Sequence, residues 1–210
     1  MEKHYKNIGY FLLLLIPLTF FGFYKTYFIK FPDFDENIDF YIHLHAFIAF
    51  LWVLLLGIQP ILIRNQQYNL HRRLGKITYY LFPLLILSLI PQIINELERG
   101  DTIYNTVANG VLLTTFYILA IVNKKNTPKH MRYMISLALV FVIPTLGRVI
   151  AIWFGVAINA MYQIVFTGIN LTLIGLIIWD KTNNRNFRPY LIALTCFILS
   201  QIGYTILVQY

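Results

Sequence analysis

The chain has 210 residues, of which 58% are hydrophobic and 12% charged, and its net charge is +8. This composition excludes an ordinary soluble domain of the same length and favours a polytopic membrane protein. Basic loops beside anionic lipid explain the pI near 9.5, so we expect no nucleic-acid partner. A single cysteine, Cys196, excludes an intrachain disulfide.

Seven apolar runs follow one another along the chain, each near the ~20 residues that a membrane-spanning helix needs. The predicted spans are residues 8–29, 38–63, 77–95, 103–122, 133–157, 158–179 and 189–209. Strands of a membrane barrel alternate polar and apolar residues, whereas these runs are apolar on nearly all sides. The sequence therefore predicts an all-α protein, with one seven-transmembrane-helix bundle over residues 1–210. We interpret the first run as a retained helix, because it is longer than the apolar part of a secretory signal.

The connecting segments alternate in charge. Thirteen Lys or Arg and two acidic residues lie in segments 1–7, 64–76, 123–132 and 180–188, whereas the other segments contain three basic and seven acidic residues. Loops rich in Lys and Arg stay in the cytoplasm. We therefore predict a cytoplasmic N-terminus, an outer C-terminus and a location in the bacterial cytoplasmic (inner) membrane, with the lipid bilayer as the first partner.

Arg148 is the one fully charged residue deep inside a predicted span. An arginine at the centre of a membrane helix costs about 2.5–3.5 kcal/mol on insertion scales, so we expect it to face other helices and to have partners there. The alternative is a structural arginine that binds backbone carbonyls or reaches outward.

Further polar residues are predicted at the same depth, in the outer half of the membrane. Asn159, Gln163 and Asn170 share one face of the sixth span, because they are four and seven residues apart. A single amide in a membrane helix ordinarily joins two helices. The whole set predicts instead a polar cavity for a small or amphiphilic ligand, anionic or quinone-like. Its predicted contacts are His45, Gln92, Asn109, Arg148, Asn159 and Gln163.

Asp39 and His43 open the second span and are four residues apart, so both lie on one helix face. They can hold a divalent metal if another helix adds ligands. Asp35 and Glu36 are nearby candidates, although acidic loops are ordinarily solvated surface. A metal-dependent membrane hydrolase, in which metal-bound water attacks the substrate, is therefore an alternative function. A transporter or assembly factor without chemistry is a third.

His71 and His130 precede the third and fifth spans at nearly equal depth, and both stand beside arginines. Two imidazoles on two helices can ligate haem b, with Arg72 and Arg132 on its propionates, and such a haem would link the ligand cavity to electron transfer. The segment from His71 to Lys76 is equally typical of an interfacial anchor for anionic lipid headgroups. The sequence therefore leaves open whether these histidines bind haem or whether the first of them belongs to a membrane-surface anchor.

Two short motifs carry a resemblance to known proteins. His71 to Gly75 reads His-Arg-x-Leu-Gly, and His130 to Met134 reads His-x-Arg-x-Met. Over roughly spans two to five, the chain resembles a family of uncharacterised bacterial multi-spanning membrane proteins, and this resemblance implies no reaction. The chain is more distantly similar to cytochrome b561-like haem bundles. That similarity implies His71 and His130 as one haem pair and no second pair, since Asn109 stands where His45 would need a partner.

Overall fold

The computed structural model describes residues 5–34 and 38–209. Lys3, Asp35 and Glu36, which carry charges in the predicted loops, lie outside the described residues. The described residues form helices and turns, with no strand among them. The all-α prediction is confirmed for this part of the chain.

The described ranges contain nine α-helices and three shorter helical segments. The α-helices are α1 Ile8–Leu13, α2 Leu15–Tyr24, α3 Phe40–Arg64, α4 Tyr68–Leu87, α5 Ile90–Glu98, α6 Tyr104–Val122, α7 Thr127–Arg148, α8 Ile158–Thr182 and α9 Arg188–Tyr204. A 3-10 turn, Phe28–Lys30, lies beyond α2. π-Helical segments Val149–Trp153 and Thr205–Gln209 continue α7 and α9.

Six helical stretches in the described residues are long and apolar enough to cross a membrane. They are Phe40–Arg64, Tyr68–Glu98, Tyr104–Val122, Thr127–Trp153, Ile158–Thr182 and Arg188–Gln209. The remaining apolar helix, Ile8–Tyr24, is shorter and is interrupted at Leu14. Pro17 accounts for the interruption, because proline lacks an N–H and its ring clashes with the carbonyl four residues earlier. These helices are those of a multi-pass membrane protein.

Two helices begin well before the predicted spans did. α4 begins at Tyr68 and α7 at Thr127, whereas hydropathy placed the starts at residues 77 and 133. The side chain of Asn126 caps α7 by accepting from the Lys129 N–H at 3.3 Å, and Pro128 suits the first helical turn. Hydropathy detects only the apolar part of a helix, so it missed the polar first turns of α4 and α7. Both histidine motifs lie in these turns and are helical.

The chain divides into two compact units, Met1–Thr106 and Val107–Tyr210. In the first unit α3 packs against α1 and α4. Glycines let α1 and α3 approach closely, since a Cβ on Gly57 would lie 2.5 Å from Leu13 Cδ2 and one on Gly9 would lie 3.2 Å from the Gly57 carbonyl oxygen. Trp52 and Phe82, with ring centroids 5.3 Å apart, join α3 to α4 in the core of this unit.

In the second unit α8 packs along α9, and α7 packs against both. Phe116 and Phe197, with ring centroids 5.6 Å apart, are fully buried and join α6 to α9. A Cβ on Gly147 would lie 2.8 Å from Met161 Sδ, so the end of α7 closely approaches the first turn of α8. This contact brings Arg148, the next residue, to the level of the polar residues that begin α8.

Candidate functional site

The predicted site residues are shared equally between the two units. The first unit contains Asp39, His43, His45, His71, Arg72 and Gln92. The second contains Asn109, His130, Arg132, Arg148, Asn159 and Gln163.

Asp39 and His43, the predicted metal ligands, both bind other groups of the protein. Asp39 Oδ1 accepts from the Ile42 N–H at 2.9 Å and thereby caps α3. His43 Nδ1 lies 2.6 Å from the Tyr27 hydroxyl, and the Phe34 ring centroid is 4.6 Å from the imidazole centroid. The Tyr27 hydroxyl thus occupies Nδ1 of His43. No three His, Cys, Asp or Glu side chains in the described ranges converge as a metal site would require, and the metal stays a prediction.

His45 joins α3 to the point where α4 ends. Its Nδ1 lies 2.8 Å from Ser88 Oγ, and Ser88 Oγ donates to the Leu85 carbonyl at 2.7 Å. Because a serine hydroxyl carries one proton, His45 Nδ1 is the donor in the contact with Ser88. Gln92 lies four residues after Ser88, in the first turn of α5, and is half-buried.

His71 faces the interior of the first unit. The Gln59 amide nitrogen donates to the His71 carbonyl at 3.2 Å and to His71 Nδ1, while the amide oxygen accepts from the Gly75 N–H at 3.1 Å. The Gly75 N–H can only donate, so it determines this amide orientation. His71 Nδ1 is therefore an acceptor, and the proton of the neutral ring is on Nε2. Arg72, the next residue, is exposed.

His130 has the opposite proton arrangement. Its Nδ1 lies 2.8 Å from the Ala120 carbonyl oxygen, which can only accept. The neutral ring then carries its lone pair on Nε2, the arrangement in which histidine commonly binds a metal. His71, with a proton on Nε2, does not fit haem ligation while it is bound to Gln59. Haem b on this pair stays a prediction that requires His71 to release Gln59.

Arg132 is fully buried and forms a two-point ion pair with Asp180 of α8. Arg132 Nε lies 2.6 Å from Asp180 Oδ2, and Nη2 lies 3.0 Å from Oδ1. Nη1 donates to the Pro128 carbonyl at 3.0 Å, and the Tyr190 ring centroid is 5.9 Å from Arg132 Cζ. Asp180 and Tyr190 are fully buried as well. The guanidinium that we predicted for a haem propionate is thus used to join α7, α8 and α9.

Asp180 and Tyr190 are the residues that the sequence-based reasoning missed. We counted Asp180 among the residues of a cytoplasmic loop, whereas it lies in the last turn of α8 and is fully buried. The available signal was its charge, because Asp180 is the one acidic residue in a segment that also contains Lys181, Arg185 and Arg188.

A polar seam runs between α8 and α9 and into the π-helical segment that continues α9. We define the seam by Asn159, Gln163, Asn170, Gln201, Tyr204, Thr205 and Gln209. Gln163 is its centre: Gln163 Oε1 accepts from Gln201 Nε2 at 2.7 Å, and Gln163 Nε2 donates to Thr205 Oγ1 at 2.8 Å. Gln163 Nε2 also lies 3.3 Å from Gln209 Oε1.

The two ends of the polar seam differ in exposure. At one end Asn159 is exposed, and its Oδ1 accepts from the Tyr204 hydroxyl at 2.9 Å. At the other end Asn170 Nδ2 donates to Gln201 Oε1 at 2.8 Å. The Asn170 Oδ1 is buried and has no hydrogen-bond partner among the described residues. The seam thus leads from an exposed amide to a buried acceptor.

Arg148 directly precedes a π-helical segment that packs against α8, one of the two helices of the polar seam. It is the last residue of α7, is half-buried, and donates from Nη1 to the Pro144 carbonyl at 3.0 Å. The π-helical segment Val149–Trp153 follows directly, and the other π-helical segment supplies Thr205 and Gln209 to the seam. π-Helical turns are rare and occur frequently at functional sites. Asn109 is half-buried in α6, and its part in the site stays a prediction.

Comparison with known proteins gives no match: no family model, no curated protein and no solved structure matches this chain. The resemblance that the two histidine motifs carry therefore stays a prediction.

Proposed function

We propose that this protein is a multi-pass protein of the bacterial inner membrane that binds a small amphiphilic ligand at the exposed end of the polar seam. The observation that carries the proposal is that one unit contains Arg148, two π-helical segments and the seam amides. A helix junction needs only amide pairs. Arg148 and the two π-helical turns are costly additions that a junction does not require.

The chemistry of the seam matches a ligand with an anionic or quinone-like head. Arg148 binds a carboxylate or phosphate through charge-assisted hydrogen bonds. Asn159 is exposed, and its Oδ1 accepts from Tyr204, so its Nδ2 is a donor that suits a quinone carbonyl. Asn159 is exposed at the entrance, so a ligand reaches it without crossing the core of the unit. His45 and Gln92 belong to the other unit, and their part in this site stays a prediction.

The orientation in the membrane is part of the same proposal. Seven segments cross, the N-terminus is cytoplasmic and the C-terminus is outside, as the unequal distribution of Lys and Arg between the two sets of connecting segments favours. Arg148 and Asn159 then lie in the outer half, where a ligand arrives from outside the cytoplasm or from the outer leaflet.

Thermal unfolding of the purified protein in a mild detergent tests ligand binding. Laurate serves as the anionic probe and decylubiquinone as the quinone-like probe. A ligand in hundredfold excess over its Kd stabilises the folded state by about 2.7 kcal/mol, which raises the Tm by several degrees. We expect Arg148→Ala to insert normally and to lose the stabilisation by laurate, whereas Arg148→Lys keeps most of it.

Arg188→Ala is the matched control, because Arg188 is an exposed arginine of the same unit and lies outside the seam. It should respond to both probes as the wild type does. Unchanged laurate stabilisation in Arg148→Ala removes Arg148 from the site. A wild type that neither probe stabilises contradicts the ligand class.

A further inference from the structure

The beginning of α4 carries three cations that bind nothing else in the described protein. Arg72, Arg73 and Lys76 are exposed, and none forms a hydrogen bond or an ion pair with a described residue. Arg64, at the nearby end of α3, is different. It donates to Asn7 Oδ1 at 2.7 Å, and its guanidinium lies 4.8 Å from the Tyr10 ring centroid. Arg64 therefore joins α3 to the first helix, while the three cations of α4 face outward.

These cations lie opposite the packed face of α4. Thr78 and Phe82 are buried, and His71 on the same face binds Gln59 of α3. With about 100° between successive residues of a helix, Arg72 lies about 100° and Lys76 about 140° from the middle of that face. The histidine and the arginines of this motif therefore serve different surfaces.

Beyond Lys76, the exposed side chains on the outward face of α4 change from cationic to aromatic and then to aliphatic. Tyr80, four residues after Lys76, is 78% exposed, and Leu84 and Leu87 follow with exposures of 51% and 56%. At 1.5 Å per residue, the distance from Arg72 to Leu87 is roughly 22 Å. We call this face the basic-to-apolar stripe and define it by Arg72, Arg73, Lys76, Tyr80, Leu84 and Leu87.

We propose that the basic-to-apolar stripe binds an anionic phospholipid. The phosphate is held by Arg72, Arg73 and Lys76, since guanidinium groups bind phosphate at two points and lysine adds a point charge. Tyr80 lies at the level of the headgroup and glycerol, the depth that tyrosine prefers in membranes. The acyl chain runs along Leu84 and Leu87.

The stripe runs from cationic through aromatic to aliphatic side chains. This order favours a lipid over the other anions that three cations attract. A free phosphate ion or an acidic protein surface needs only the cationic end of the stripe. A phospholipid matches all of it, because its own structure changes from anionic to interfacial to aliphatic over a similar length. This proposal goes beyond the ligand site of the second unit and shares no residue with it.

Native mass spectrometry of the purified protein tests the proposal by comparing the binding of phosphatidylglycerol and phosphatidylcholine. We expect the wild type to bind phosphatidylglycerol about tenfold more tightly than phosphatidylcholine, because juxtamembrane cations attract anionic headgroups. In Arg72→Gln/Arg73→Gln/Lys76→Gln the preference should fall below about twofold. The three side chains are exposed and form no hydrogen bond or ion pair with a described residue, so this variant should fold. A fluorescence titration of the wild type at about 0.5 M NaCl, where charges are screened, should show the same loss.

The matched control removes three other exposed cations from the side predicted to be cytoplasmic, through Lys125→Gln/Lys181→Gln/Arg188→Gln. It should keep the preference for phosphatidylglycerol. Equal preference in the stripe variant and in this control overturns the proposal. Displacement of the lipid by millimolar inorganic phosphate would identify a free-anion site instead. Displacement by polyglutamate, with no effect of Tyr80→Ala on binding, would identify an acidic partner and likewise contradict a lipid site.

Discussion

α4 and α7 begin with similar sequences and use them in opposite ways. Each helix has a histidine in its first turns with an arginine one or two residues later. In α4, His71 points inward to Gln59 while Arg72 is exposed. In α7, Arg132 is fully buried, and its guanidinium is paired with Asp180. The arginine is a surface group in one unit and a core group in the other.

The neighbouring helix, and not the motif, therefore decides whether an arginine is buried or exposed. Burying a guanidinium is expensive unless a carboxylate and further acceptors satisfy it. In the second unit α8 supplies Asp180, and α7 adds the carbonyl of Pro128. In the described part of the first unit no carboxylate pairs with the start of α4, so its arginines remain at the surface.

The largest expected effect comes from removing the carboxylate that distinguishes α7 from α4. Asp180→Leu leaves Arg132 buried without a counter-charge, and we expect the free energy of unfolding to fall by about 3–5 kcal/mol. Denaturant unfolding in detergent, followed by circular dichroism, measures this change.

Two further variants test whether the loss comes from the unpaired charge of buried Arg132. Arg132→Met/Asp180→Leu removes both charges and should recover most of the loss, since an apolar pair of similar volume replaces a buried ion pair at little cost. Arg72→Gln, the equivalent change in α4, should alter the free energy of unfolding by less than about 0.5 kcal/mol. A cost of Asp180→Leu no larger than that of Arg72→Gln would refute the contrast between the two helices.

An intermediate effect is expected at the histidine of α7. His130→Phe removes the hydrogen bond to the Ala120 carbonyl and should cost about 1 kcal/mol in unfolding free energy. The matched variant His71→Phe should cost less, because Gln59 keeps its contacts with the backbone of residues 71 and 75. The absorption spectrum of the same samples tests the haem prediction. A Soret band in the wild type that disappears in both variants would establish the pair as haem ligands, and its absence from the wild type would end that hypothesis.

The smallest expected effect lies at Gly75, which closes the first histidine motif. A Cβ at this position would meet no atom within 4 Å, and the residue is inside α4. Gly75→Ala should therefore stabilise the protein by about 0.5–1 kcal/mol, because glycine loses more backbone entropy in a helix than alanine does. Gly57→Ala is the contrasting change, because its Cβ would meet Leu13 at 2.5 Å and should lower the Tm. A destabilising Gly75→Ala would contradict the prediction that a methyl group at this position meets no neighbouring atom.

Local spacing correctly predicted that three polar residues share one face of a helix. The four- and seven-residue spacing of Asn159, Gln163 and Asn170 predicted one shared face, and all three bind residues of α9 or its π-helical continuation. The spacing did not reveal that the partners include Thr205 and Gln209, because a π-helical turn changes the direction of side chains without a recognisable signature in the sequence. Asp180 escaped for a related reason, since hydropathy ended the sixth span at residue 179.

Composition and the spacing of residues along a helix are enough to predict that the chain is helical, apolar enough for several membrane crossings, and basic on one set of connecting segments. Which polar groups meet depends on how the helices pack. Arg132 and Asp180 are 48 residues apart, and residues that far apart in the chain come together only through the packing of their helices. That packing is why Arg132 belongs to the core, while Arg72 remains available at the surface.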